Sequence, residues 1–138
     1  MRLLASREHS RKELERKLLS KSHAAAEVEQ VLDQLAAQGL QSDARYAEAY
    51  IHSRIQRGYG PLRIRAELKE RGVSGALMAD YLCDDPDLWR DLLQTAHDRK
   101  YGSSRTTDRK EQARRARFLA YRGFSSGMIR QFLFNPPF

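Results

Sequence analysis

Apolar residues along this chain recur at helical spacing. Leu14 and Leu18 stand four apart behind Ser10-Arg11-Lys12-Glu13. In that tetrad a serine can accept from the third helical amide while the glutamate reaches back to the cap amide, so the spacing predicts a helix near 10–21. Val28, Val31, Leu32 and Leu35 mark a second apolar stripe, stopped at Gly39. Tyr46, Ala47, Tyr50, Ile51 and Ile55 mark a third, with Asp43 as its expected cap and Gly58 near its end. Asp85-Pro86 predicts a cap followed by proline in the first helical turn, leading toward Tyr101, with Gly102-Ser103-Ser104 as a break. Asn135-Pro136-Pro137 lies beyond helical territory. No segment alternates β-branched and polar residues with period two, so the expected class is all-α.

The same arrangement occurs three times. When Ser22, Gly72 and Gly123 are aligned, Leu18, Leu68 and Leu119 stand four residues earlier. Lys21, Arg71 and Arg122 stand one earlier, and His23, Val73 and Phe124 one later. Val28, Met78 and Ile129 follow at six, Val31, Tyr81 and Phe132 at nine, and Leu32, Leu82 and Leu133 at ten. The offsets are 50 and 51 residues, the mark of an internal repeat whose unit is helix, tight turn, helix, with a further helix leading in. The expected boundaries are 1–41, 42–84 and 85–138.

In the middle copy, RGYGPLRIRAELKERGVS, Gly58 and Gly60 form a corner and Pro61 occupies a first helical turn. Ile64 and Leu68 face the core, and Gly72 suits a left-handed cap. Lys21, Arg71 and Arg122, each just before a cap, can offset the helix dipole.

Charge changes this picture. The 138-residue chain carries a formal net charge of +7, which favours a polyanionic partner. Residues 54–71 hold six basic and two acidic side chains. Residues 80–98 hold six Asp against one Arg, and 101–138 hold eight basic against two acidic. The basic second and third copies are thus separated by an acidic stretch. Any one run reads equally as a solvated face, but their alternation reads as an electrostatic binding surface. Arg63, Glu67 and Arg71 form a ladder that balances itself, whereas Arg65 and Lys69 are like charges four apart, which costs a few tenths of a kcal/mol unless an anion relieves it. The candidate contact residues are Arg54, Arg57, Arg63, Arg65 and Lys69 from the middle copy. The last copy adds Arg109, Lys110, Arg114, Arg115 and Arg117.

Catalytic chemistry finds little support. His9, His23, His52 and His97 are scattered, and none has zinc-site spacing with Cys83, so no metal or cofactor is expected. His52 reads as an exposed helix position and Cys83 as a small core residue. Asp84-Asp85 belongs to a helix start. Gly58-Tyr59-Gly60 lacks the Lys-Ser/Thr of a phosphate loop. A single cysteine forms no intramolecular disulfide and suits a reducing cytoplasm. No apolar run approaches the roughly 20 residues of a membrane span, and MRLLASREHS turns polar too early for a secretory signal.

LLASREHSRKELERKL, SDARYAEAYIHSRIQRGYGPLRIRAELKERGVS and RKEQARRARFLAYRGFSSGMIRQFL, in that order, resemble the RecX family of regulators of the RecA recombinase. The resemblance runs from about Leu3 to Leu133. It implies three tandem three-helix repeats forming an elongated, curved helical array, and a protein without enzymatic activity. It also implies binding to RecA and RecA–DNA filaments, with inhibition of filament growth, strand exchange, ATP hydrolysis and coprotease activity. Regulation of recombination, DNA repair and the SOS response would follow. Single- and double-stranded DNA are further partners to be expected, and a monomer is the expected state. Ser22-His23 departs from the glycine–hydrophobic pair at Gly72-Val73 and Gly123-Phe124, which leaves the geometry of the first turn open. Any N-terminal arm is expected to be short or missing.

The rival reading is a direct, mainly nonspecific DNA-binding helical protein. Two helices joined at Arg71-Gly72-Val73 could mimic a helix-turn-helix. The candidate second helix, GALMADYLC, carries no Arg, Asn or Gln to read base edges, and it reads as core.

Overall fold

The computed structural model describes residues 7–134. They form eight helices and, among the described residues, no strand. In order these are α1 (Arg11–Ser20), α2 (Ala25–Ala37), α3 (Asp43–Gln56), α4 (Pro61–Glu70), α5 (Gly75–Tyr81), α6 (Pro86–Tyr101), α7 (Arg109–Arg122) and α8 (Ser126–Leu133). Asn135-Pro136-Pro137, and residues 3–6 of the first family-like segment, lie outside the described residues.

The three expected turns share one set of backbone bonds. The amides of His23, Val73 and Phe124 donate to the carbonyls of Leu18, Leu68 and Leu119 at 3.4, 3.0 and 3.2 Å. Those of Ser22, Gly72 and Gly123 donate one residue later, to Leu19, Lys69 and Ala120. This is the Schellman termination, which needs a left-handed residue at the cap. Gly72 and Gly123 adopt it at φ 82° and 104°, and so does Ser22 at 67°. The first turn therefore keeps the shared geometry although its residue is not glycine. Beyond the turns, the hydroxyls of Ser74 and Ser125 cap α5 and α8, while Ala24 at the matching place offers none.

The chain divides into two compact units, one of residues up to 51 with 67–82, the other of 52–66 with 83 onward. In the first, Leu14, Val28, Leu32 and Leu35 form a buried cluster between α1 and α2, with Leu18 packed against it. Val31, expected on that stripe, stands at its rim, 37% exposed. The Ser10 capping box is present, and its hydroxyl also donates to the Arg71 carbonyl at 2.8 Å. Asp43 does not cap α3, because Ser42 takes that place and accepts from the Arg45 amide. The Asp43 carboxylate instead accepts from the Arg11 amide at 2.8 Å, satisfying a first-turn donor of α1.

In the second unit, α6, α7 and α8 pack on one another around Trp89, Leu93, Leu119, Phe124, Ile129 and Leu133, all buried. Asp85 and Pro86 begin α6 as expected. Cys83 is not a core residue but is exposed. Leu82 takes the buried position, and Cys83 turns the chain, its carbonyl accepting from the Trp89 indole at 2.6 Å. Gly60 does more than form a corner: its amide donates to the Arg122 carbonyl at 2.7 Å, and that of Leu62 to the Gly123 carbonyl at 3.0 Å. A Cβ on Gly60 would lie 2.5 Å from the Gly123 carbonyl carbon. Two backbones meet here without side chains between them.

Candidate binding surface

The two units treat their cations differently. In the first, Arg7 and Arg71 reach Glu13, Arg11 reaches Asp33, Arg16 reaches Glu70, and Arg45 reaches Glu8. Glu13 receives Arg7 and the Ser10 amide, which outweigh its burial and hold its carboxyl below the usual range. Its neighbour Tyr46 is buried, and that desolvation pushes its phenol up to about 12. Lys69, exposed near the end of α4, has no comparable carboxylate among the described residues.

The second unit carries the other expected contact residues. Arg65 and Arg117 are exposed on α4 and α7, and Arg109 and Lys110 are exposed on the first turn of α7. Arg114 is exposed and shares Glu111 with Arg115. Arg115 is turned inward, where it also donates to the Ser104 carbonyl at 3.0 Å and lies 3.2 Å from Nε2 of the buried His97. Arg63 is half-buried, donates to the Tyr121 carbonyl at 3.1 Å, and lies against two rings. Arg54 is half-buried against Tyr59.

Arg57 opens onto a cleft of about 290 Å³ that it lines with Gly58, Ala96, Arg99, Lys100, Phe118 and Arg122. Four of the seven are cations and none is a carboxylate. Two of the cations are fixed by the carbonyls that end α3: Arg99 donates to Gln56 at 3.1 Å, and Arg122 to Arg57 at 2.9 Å. A helix C-terminus carries partial negative charge, so this anchoring is favourable and holds both guanidinium groups at the cleft.

From this cleft cations and rings alternate. Lys100 lies 4.6 Å from the Phe118 ring centre, and Arg122 lies 5.2 Å from Phe118 and 4.8 Å from Tyr59. Arg63 then lies 4.5 Å from Tyr59 and 4.8 Å from Tyr121. Each such contact contributes on the order of 0.5–2 kcal/mol, depending on exposure. Tyr121 ends the series 74% exposed. Sequence reasoning found Arg57 and Arg63 but missed Arg99, Lys100, Phe118 and Tyr121, and assigned Arg122 only to the helix dipole. The one available signal was the Arg99-Lys100-Tyr101 run that follows the acidic stretch. Among the described residues no group of three or more His, Cys, Asp or Glu could hold a metal ion, and no helix is long and apolar enough to cross a membrane.

Three family models match the chain in order: the RecX first three-helix domain over 1–35, the second over 42–82 and the third over 90–133. The Regulatory protein RecX of Pseudomonas putida (strain W619) is 46% identical over 133 residues, spanning 96% of this chain and 85% of the relative. That of Halorhodospira halophila (strain DSM 244 / SL1) is 40% identical over 130 residues, spanning 94% and 81%. Among solved structures, RecX from Lactobacillus salivarius superposes with a TM-score of 0.75 at 24% identity, covering 94% of this chain and 86% of that one. A second crystal structure, of a regulatory protein RecX, gives 0.78 at 23% identity, covering 97% and 67%. At these identities the two structures speak for the fold.

Proposed function

The chain belongs to the RecX family, and from that premise we propose that it is a non-enzymatic modulator of the RecA recombinase. It binds RecA and the RecA–DNA filament and inhibits filament growth, strand exchange, ATP hydrolysis and coprotease activity. It thereby regulates recombination, DNA repair and the SOS response. The observation that carries this reading is the match of all three domain models, in order, to most of the chain. The repeats are placed at 1–41, 42–84 and 85–138, and the protein acts as a cytoplasmic monomer without cofactor.

The contact chemistry is cationic. Arg57, Arg65, Lys69, Arg109, Lys110, Arg114 and Arg117 are exposed and offer charge to acidic groups of the filament or to DNA phosphates. Arg54, Arg63 and Arg115, which are half-buried, brace that surface. A ligand that binds one filament state better than another shifts the filament between them by that difference in affinity, which is sufficient to account for inhibition without chemistry.

The test is the DNA-dependent ATPase of RecA on single-stranded DNA, with this protein titrated below the RecA concentration and again with DNA in excess. Inhibition that survives excess DNA is expected. Inhibition abolished by excess DNA, or absent, would overturn the reading in favour of a nonspecific DNA binder.

A further inference from the structure

We infer that the cleft formed by Arg57, Arg99, Lys100 and Arg122, with the rings leading from it to Tyr121, is a binding track for single-stranded nucleic acid. The inference goes beyond the regulatory role and stands without it.

Three observations converge. The first is charge. Four cations share one cleft of about 290 Å³ whose lining holds no carboxylate, and none of the four has an ion pair among the described residues. The first unit shows that this chain can neutralise its arginines, since five of them there reach carboxylates. Like charges gathered without counter-charge repel one another, and a bound anion relieves the repulsion. The second is preorganisation. Arg99 and Arg122 are anchored by backbone carbonyls, so they are held in place before any ligand arrives. Little side-chain entropy is then lost on binding.

The third is the alternation of cation and ring from Lys100 through Phe118, Arg122, Tyr59 and Arg63 to Tyr121. A single strand presents one phosphate and one π-face per nucleotide, the same two elements in the same alternation. An acidic peptide supplies the charge without the ring at each step. A duplex supplies phosphates but keeps its base faces stacked inside. Tyr121, 74% exposed with Arg63 against it, is the ring best placed to accept an unstacked base.

The test uses the full chain without RecA, so its result is independent of the regulatory reading. A fluorescein-labelled oligothymidylate of about a dozen nucleotides is titrated by anisotropy, beside an abasic strand of equal length and a duplex. Tyr121→Ala and Lys100→Ala are compared with the parent after circular dichroism confirms their helix content. Both residues are exposed, so neither change opens the core. Tyr121→Ala is expected to weaken oligothymidylate binding about five- to a hundredfold, the range for one base–aromatic stack, while leaving the abasic strand unaffected. Lys100→Ala is expected to weaken both strands and to lower the slope of log K against log salt by about 0.7. The inference is overturned if neither variant changes the affinity. It is equally overturned if Tyr121→Ala affects both strands alike, or if the duplex binds as tightly as the single strand.

Discussion

Gly60→Ala tests whether the second unit depends on two backbones meeting directly. The added Cβ would stand 2.5 Å from the carbonyl carbon of Gly123, 2.6 Å from its oxygen and 2.7 Å from the Phe124 amide nitrogen. All three are backbone atoms, so no side chain can swing aside. Restoring an ordinary contact near 3.5 Å demands a shift of about 1 Å. That shift would stretch the Gly60–Arg122 and Leu62–Gly123 hydrogen bonds, now 2.7 and 3.0 Å, past useful length. Two lost bonds at about 0.5–1.5 kcal/mol each, plus overpacking, give a destabilisation of about 2–4 kcal/mol. Gly127→Ala is the matched control. Its Cβ would meet nothing within 4 Å, and the site lies in α8, so the expected change is neutral to about 1 kcal/mol stabilising. Urea denaturation followed by circular dichroism measures both. A Gly60→Ala midpoint matching that of Gly127→Ala would refute the argument that backbone contact fixes this junction.

Other outcomes follow from the same geometry. Ser22 holds φ 67° without being glycine, so Ser22→Gly should raise stability by about 0.5–1 kcal/mol; a lower urea midpoint would count against strain at that cap. His9 is 1% exposed, and burial together with Arg7 depresses its pKa below the ordinary imidazole value. The unfolded imidazole therefore takes up its proton first, so stability should fall as pH drops below about 6.5 and level off below the depressed value. His9→Gln should flatten that part of the profile, and parallel curves for the two proteins would exclude His9 as its source. Reversing Arg65 and Lys69 to Glu should weaken RecA-filament binding while helix content stays unchanged, since both are exposed on α4. Full binding by the folded variant would remove them from the interface.

What sequence reading recovered was local or periodic. The three caps lie in its alignment because each Schellman turn is closed within six residues, and the leucines at four before and ten after the cap recur because each copy buries the same face. What it missed depends on residues far apart in the chain. Asp43 reads as a cap by residue type, yet its carboxylate is taken by an amide 32 residues away. Arg122 reads as a dipole partner, yet it donates to a carbonyl 65 residues away. Cys83 reads as core by composition, but Leu82 beside it takes the buried place. The basic cleft was half visible. Its cations come from the end of α3, the end of α6 and the last turn of α7, and no spacing rule within one helix joins them.

The chain has one tryptophan and one cysteine, and Trp89 is hydrogen-bonded to the backbone of Cys83. The indole is 3% exposed while the thiol is open to solvent. The wild-type molecule thus carries its own optical reporter beside a single attachment point for a thiol-directed dye. Indole emission follows the second unit alone, and ellipticity follows every helix. If the two signals part during denaturation, the units melt independently; if they coincide, the array behaves as one cooperative body.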